Sequence, residues 1–351
     1  MNKFLLFPML AISVGMVACS GSHQPAEQDN AKNLAADKEL LTKAQTFFQA
    51  LPSTAEVLEN PMSPEKIALG KLLYFDTRLS ATGNNSCNSC HNLSTFGVDN
   101  KAFSTGDAGK LGGRNSPTSF NAAIHSMQFW DGRAKTVEEQ AGMPILNPVE
   151  MAIPNEAALE KKLAAVPMYV EKFKKVFPVD KNPISFKNVA LAIGAFERTL
   201  LTPSRFDKFL GGETTAMNAE EKAGLSLFME TGCTTCHSGP SLGGTMMMKF
   251  GVNTDYRPLT GSTNGDNGLM DLTKKESDKD IFKVCGLRNV EKTSPYFHDG
   301  SVKSLNDAVR IMAKTQNNKD LNPEQVTSIV KFLGALTHDI PDDVKAKPVE
   351  L

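Results

Sequence analysis

Two short stretches of the chain could do unusual chemistry. "SCNSCHN" holds Cys87, Cys90 and His91, and "GCTTCHS" holds Cys233, Cys236 and His237. Each spells C-x-x-C-H. Two thiols at that spacing add to the vinyl groups of a haem, and the adjacent imidazole then lies under the iron. Attachment and ligation thus come from one turn of chain. Two other chemistries use paired cysteines. Tetrahedral zinc would need both pairs to converge across a long gap, and a redox dithiol wants a βαβ setting that the chain lacks. The pattern therefore points to two haem c groups. The remaining cysteines are Cys19 and Cys285, the latter read as a buried, inert thiol.

What each iron does depends on its second axial ligand. A methionine raises the potential and favours electron transfer, while an open position admits a small ligand such as peroxide. The chain has 15 methionines, too many for composition to choose among them. Histidine is scarcer, at six. Setting aside His91, His237, His23 near the N-terminus and His338 near the tail leaves His125 and His298 as spare candidates.

Positioning these motifs calls for helices. "SPEKIALGKLLYF" has Ser63 as N-cap, Pro64 at the first helical position and apolar residues at helical spacing. Thr136 with Glu139 reads as a capping box. An amphipathic helix is expected over about 185–201, ended by Pro203. Others follow Asn218, Ser304 and Asn322, and Pro341 is expected to stop the last. No run of alternating strands appears. Segments 94–121 and 238–280 are rich in Gly, Asn, Thr and Ser, and loops of that length suit wrapping around a haem edge. Residues 202–217 read as a linker dividing the chain into halves with one C-x-x-C-H each.

At 351 residues, with 40% hydrophobic and 22% charged residues, the chain can build two modest cores. A net charge of -1 argues against nucleic acid and against a polybasic membrane surface. The N-terminus reads as an export signal: Lys3, an apolar run, then small residues before Cys19. The stretch Met16-Val17-Ala18-Cys19 resembles a lipoprotein cleavage box, which would make Cys19 a lipidated anchor; the alternative is an ordinary cut nearby. The expected organisation is a signal at 1–19, a flexible tether at 20–50 and haem-binding halves at 51–204 and 205–345. The expected location is the periplasm.

Longer motifs then become specific. "RNSPTSFNAA", "QFWDGRA", "NPVEM", "AFERTL", "FDKFLGG", "GLRNV" and "SPYFHDGSVKSLNDAV" resemble the bacterial di-haem cytochrome c peroxidases, relatives of the MauG group. The resemblance runs from about Pro64 to Leu336. It implies a mainly α fold of two cytochrome c-like domains, each with one covalent haem and long irregular loops. It also implies reduction of hydrogen peroxide to water with electrons from a small cytochrome c or copper protein, and a homodimer. The haem on His91 would be the peroxidatic centre and the haem on His237 the electron-entry centre, with Met312 as its second ligand. MauG-type proteins carry tyrosine there, so Met312 favours a peroxidase over an enzyme that oxidises a partner protein. A third reading is a di-haem electron carrier with both irons closed.

The resemblance further makes Glu150 the distal acid–base residue, Gln140 its polar companion and Trp130 a residue between the two haems. Asn115 with the backbone of Thr293 and Pro295 matches a calcium site. One departure stands out. Many relatives carry an iron-capping histidine in the loop before "RNSPT", where this chain has Asp107. The first iron is then expected to need no reductive uncapping; the alternative is another cap, with His125 the nearest spare. Cys285 is the other departure, at a position where relatives usually have proline.

Overall fold

The computed structural model describes Met1 and residues 24–351. The expected signal, Cys19 and His23 lie outside the described residues. The chain divides into residues 1–39 and a body of residues 40–351. The body is mainly helical. Among the described residues its one sheet pairs Met247–Lys249 with Ile281–Lys283 antiparallel, Met247 opposite Lys283. No helix among them is long and apolar enough to cross a membrane.

The same helical crossing occurs twice. Helix Pro64–Phe75 starts where Ser63 accepts a hydrogen bond from Lys66 N at 3.2 Å, and it packs against helix Phe186–Glu197. Helix Ala219–Glu230, capped by Asn218, packs against Pro323–Gly334, capped by Asn322. Both crossings need a glycine. A Cβ at Gly70 would lie 1.9 Å from the Ala192 carbonyl oxygen, and one at Gly224 would lie 2.0 Å from that of Ser328. Glycine inside a helix costs about 1 kcal/mol relative to alanine, so close backbone approach has to repay it. The second glycine helix ends just before Cys233, and the first packs against the Cys87–Cys90 turn.

Two large apolar cores lie on either side of residue 204, with exchanges at the ends. Leu72, Leu73, Tyr169, Phe173 and Ile193 anchor the first, and Ile340, Val344 and Leu351 join it from the far end of the chain. Phe206, Phe209, Leu225 and Phe332 anchor the second, joined by Ala44 and Phe48. Two expectations are corrected here. Residues 20–50 are not simply a tether: helix Gln24–Gln45 occupies much of them, and Leu40, Leu41, Ala44, Phe47 and Phe48 form an apolar stripe on the second core. Residues 202–217 are not a loose linker. Ser204 and Asp207 form a capping box for helix Arg205–Leu210, whose Phe206 and Phe209 are fully buried. Smaller differences follow from local geometry. Glu139 reaches back to Lys135 N rather than completing a box with Thr136, and the last long helix ends at Gly334, well before Pro341.

Candidate haem-binding sites

Each C-x-x-C-H is a single helical turn with the same internal geometry. His91 N donates to the Cys87 carbonyl at 2.9 Å, and His237 N donates to the Cys233 carbonyl at 2.9 Å. The imidazoles are oriented alike. His91 Nδ1 lies 2.9 Å from the Pro117 carbonyl oxygen, and His237 Nδ1 lies 3.0 Å from that of Leu242. A carbonyl can only accept, so Nδ1 carries the proton in both rings and Nε2 keeps the lone pair that a metal needs. Tyr74 adds a hydrogen bond to the His91 carbonyl at 2.6 Å.

The two turns open on different cavities. The first, about 610 Å³, is lined by Cys87, Cys90, His91, Gln140 and Glu150. The second, about 260 Å³, is lined by Cys233, Cys236, His237 and Met312, the last on helix Leu305–Asn317. Trp130 and Asn115 line both. The cysteine pairs do not converge, and no cluster of three or more His, Cys, Asp or Glu able to hold a metal occurs among the described residues. None of the five described cysteines forms a disulfide. Burial raises all four motif thiols, that of Cys233 to about 12. A redox dithiol needs the opposite, a depressed pKa that supplies thiolate. Buried neutral thiols beside a lone-pair-bearing imidazole, facing a roomy cavity, fit covalent haem.

The first cavity is furnished for acid–base work. Burial pushes the half-buried Glu150 carboxyl above its ordinary range, opposed by Arg133 and by Asn147, whose Nδ2 donates to Oε1 at 2.8 Å. Gln140, on helix Val137–Leu146, is half-buried in the same wall. Asp107 is not in that wall. Thr82 N donates to its Oδ2 at 2.8 Å; Thr82 Oγ1 and Asn84 N donate to its Oδ1 at 2.9 and 3.2 Å. Its own N–H donates to the Glu150 carbonyl at 2.7 Å. The carboxylate is a loop fastener, turned to residues 82–84.

His125, the spare nearest in sequence, lines the second cavity and not the first. Its Nε2 pairs with Ser241 Oγ at 2.8 Å. His298 lines the same cavity, stacked on Phe282 at 4.1 Å. Asn115, Thr293 and Pro295, the expected calcium residues, line the second cavity together. Asn115 Nδ2 donates to the Lys101 carbonyl at 2.8 Å, which leaves Oδ1 as the oxygen available to a hard cation. Cys285 is in this wall too, its thiol raised by burial to about 11.

Three residues here escaped the sequence reading. Arg114 forks onto Asp266 at 2.6 and 2.8 Å and reaches Asp131 at 2.6 Å, tying loop 94–121 to loop 238–280. Glu197 lines the first cavity; burial raises its carboxyl to about 8, so it is mostly protonated at neutral pH. Lys283 lines the second. Arg114 and Glu197 sit in motifs already singled out, yet nothing local to any of the three signals burial.

Paired attachment turns on neighbouring cavities that share one indole define a protein built to carry two covalently bound haems side by side. The chain belongs to the di-haem cytochrome c peroxidase family, whose model matches residues 64–215. It is 47% identical over 283 residues to a cytochrome c551 peroxidase of Nitrosomonas europaea, covering 80% of this chain and 83% of the relative. A cytochrome c551 peroxidase of Pseudomonas aeruginosa is 45% identical over 303 residues, covering 85% and 86%. Among solved structures, a MauG-like protein associated with microbial copper homeostasis superposes with a TM-score of 0.75 at 27% identity, covering 85% of this chain and 97% of that one.

Proposed function

We propose that this chain is a di-haem cytochrome c peroxidase that reduces hydrogen peroxide to two waters, taking up two electrons and two protons. The observation that carries the reading is a division of labour. Glu150 and Gln140 share a cavity with His91, while Met312 shares one with His237. When bound, the haems supply the electrons and an open coordination position.

The protein residues have distinct tasks. His91 and His237 each present Nε2 to a metal, fixed by the Pro117 and Leu242 carbonyls. Met312 supplies a thioether to the second site, which favours its reduced state. Glu150 takes a proton from one peroxide oxygen and returns it to the leaving oxygen; its raised pKa suits both tasks. The Gln140 amide orients the peroxide by hydrogen bonding. Trp130 offers a polarisable ring between the sites. Asn115, Thr293 and Pro295 hold one calcium ion that stiffens the wall around Trp130. With Asp107 fastened away from the first cavity and His125 in the second, no side chain at either position caps the first site, so activity needs no prior uncapping.

The donor is a small cytochrome c or a copper protein, and the enzyme works as a periplasmic homodimer, exported and anchored through lipidated Cys19. The test is holoprotein with a reduced donor of either kind. Peroxide consumption at two donor electrons per peroxide is expected, with mass measurement showing two haem adducts. Full haem content without turnover would support an electron carrier instead.

A further inference from the structure

The second cavity carries one charge that no protein group balances. Lys283 is only 6% exposed and ends strand Ile281–Lys283. It lines the cavity with Cys233, His237 and Met312. Its N–H donates to the Trp130 carbonyl at 2.7 Å, which fixes it beside the shared indole. No ion pair or hydrogen bond engages Nζ among the described residues. The other cation of that wall, Arg288, is fully taken up: Asp207 accepts at 2.7 and 2.8 Å and the Pro240 carbonyl at 2.6 Å. No Asp or Glu among the described residues lines the cavity. The Cys285 thiol, raised by burial, is no anion at neutral pH.

A buried ammonium without a partner is strongly disfavoured. Burial pushes the Lys283 pKa down, and an anion entering the cavity would offset that penalty. The group for which the paired cysteines are built brings such anions, because haem carries two propionates on the edge away from its vinyl groups. The first cavity is arranged in the opposite sense. Glu150, Asp131, Asp266 and Asp271 outnumber Arg114 and Arg133 in its wall.

We propose that Lys283 is the counter-ion of a propionate of the haem attached at Cys233 and Cys236, and that this ion pair raises the reduction potential of that centre above that of its neighbour. A fixed cation stabilises the reduced iron, which carries one positive charge fewer. Lys283 is a positioning and tuning residue, not a catalytic one. The inference rests on the two-haem reading above.

The test uses holoprotein carrying Lys283→Met, Lys283→Gln or Lys283→Arg, each first counted for haem. Wild type with fewer than two haems defeats the two-haem reading, and the proposal with it. With two haems present, the neutral variants are expected to lower the midpoint of the Met312-ligated centre by about 59 mV for each tenfold shift in a one-electron equilibrium. A shift of about that size is expected, with less change at the other centre. Lys283→Arg keeps the charge and should keep the potential. Its altered donor geometry should move the propionate-bending band in the resonance Raman spectrum. Unchanged midpoints in a loaded neutral variant overturn the proposal. Should neither neutral variant load, an unmoved propionate band in Lys283→Arg overturns it.

Discussion

The indole Nε1 of Trp130 donates to the carbonyl oxygen of Asn115 at 2.8 Å. Asn115 N in turn donates to the His298 carbonyl at 2.7 Å, so the ring is tethered across the boundary between the two cavities. Trp130→Phe keeps an aromatic ring and loses this bond, which by itself is worth about 1 kcal/mol. The variant should fold and bind peroxide normally. In single turnover from the half-reduced state, delivery of the second electron should slow. Equal rates in the two proteins would reduce Trp130 to a packing residue.

Glu150 predicts a displaced acid limb. Burial raises its folded pKa, so the base form appears only above the ordinary carboxylate range, and the rate should rise with pH through that higher value. Glu150→Gln should abolish the limb and lower the rate by about 10²–10⁴-fold, the usual worth of a positioned acid–base group. Asn147→Ala removes a hydrogen bond that favours the charged form, so its limb should move to still higher pH. A limb that stays in place in Asn147→Ala would assign it to another group.

Arg198 and Glu138 form a buried pair, each next in the chain to a residue of the first cavity's wall, Glu197 and Val137. Arg198 Nε and a terminal nitrogen donate to the two carboxylate oxygens at 2.6 and 2.8 Å, and Arg198 is 4% exposed. Asn60 Nδ2 adds a bond at 2.9 Å. Arg198→Met strands the carboxylate and should cost roughly 3–5 kcal/mol. Replacing Glu138 by methionine as well should recover much of the loss. Thermal denaturation of the wild type, both single variants and the double variant checks this, and additive losses in the double variant would contradict it.

Asp107 gathers three donors from residues 82–84, so Asp107→Ala should loosen the glycine-rich segment 106–113. Thr82 and Asn84 are exposed, so water can take over their donors and each lost bond should cost only about 1 kcal/mol. Proteolytic nicking within 106–113 should speed up. The visible spectrum of the resting protein should not change, because the side chain is outside the cavity wall. A shift in the haem bands of this variant would place Asp107 in the iron's surroundings after all.

Local chemistry was legible in the sequence, and depth was not. Ser63, Asn218, Ser304 and Asn322 each cap the helix they were expected to cap, because a capping oxygen acts within three residues. The attachment turns were legible for the same reason. The roles of Gly70 and Gly224 were hidden, since the backbone each approaches is about a hundred residues away. Phe206 and Phe209 were misread because flanking Pro, Gly and Thr gave their segment the look of a connector. Asp107 was singled out by its place in the loop before the RNSPT motif, and only its partners at residues 82–84 show that it ties down that loop. Lys283 follows an ordinary Ile-Phe pair, and its burial comes from the strand pairing opposite Met247 and from Trp130.

The exchanged ends make each half depend on the other. Phe48 meets Phe206 at 5.3 Å, while Ile340, Val344 and Leu351 close over helices of the opposite half, where Lys172 also pairs with Glu350 at 3.4 Å. The earlier half therefore cannot seal its interior until residues 340–351 have arrived. Cutting the polypeptide near position 204 yields two fragments that each lack a piece held by the other, so neither is a self-sufficient module and the two must mature as one.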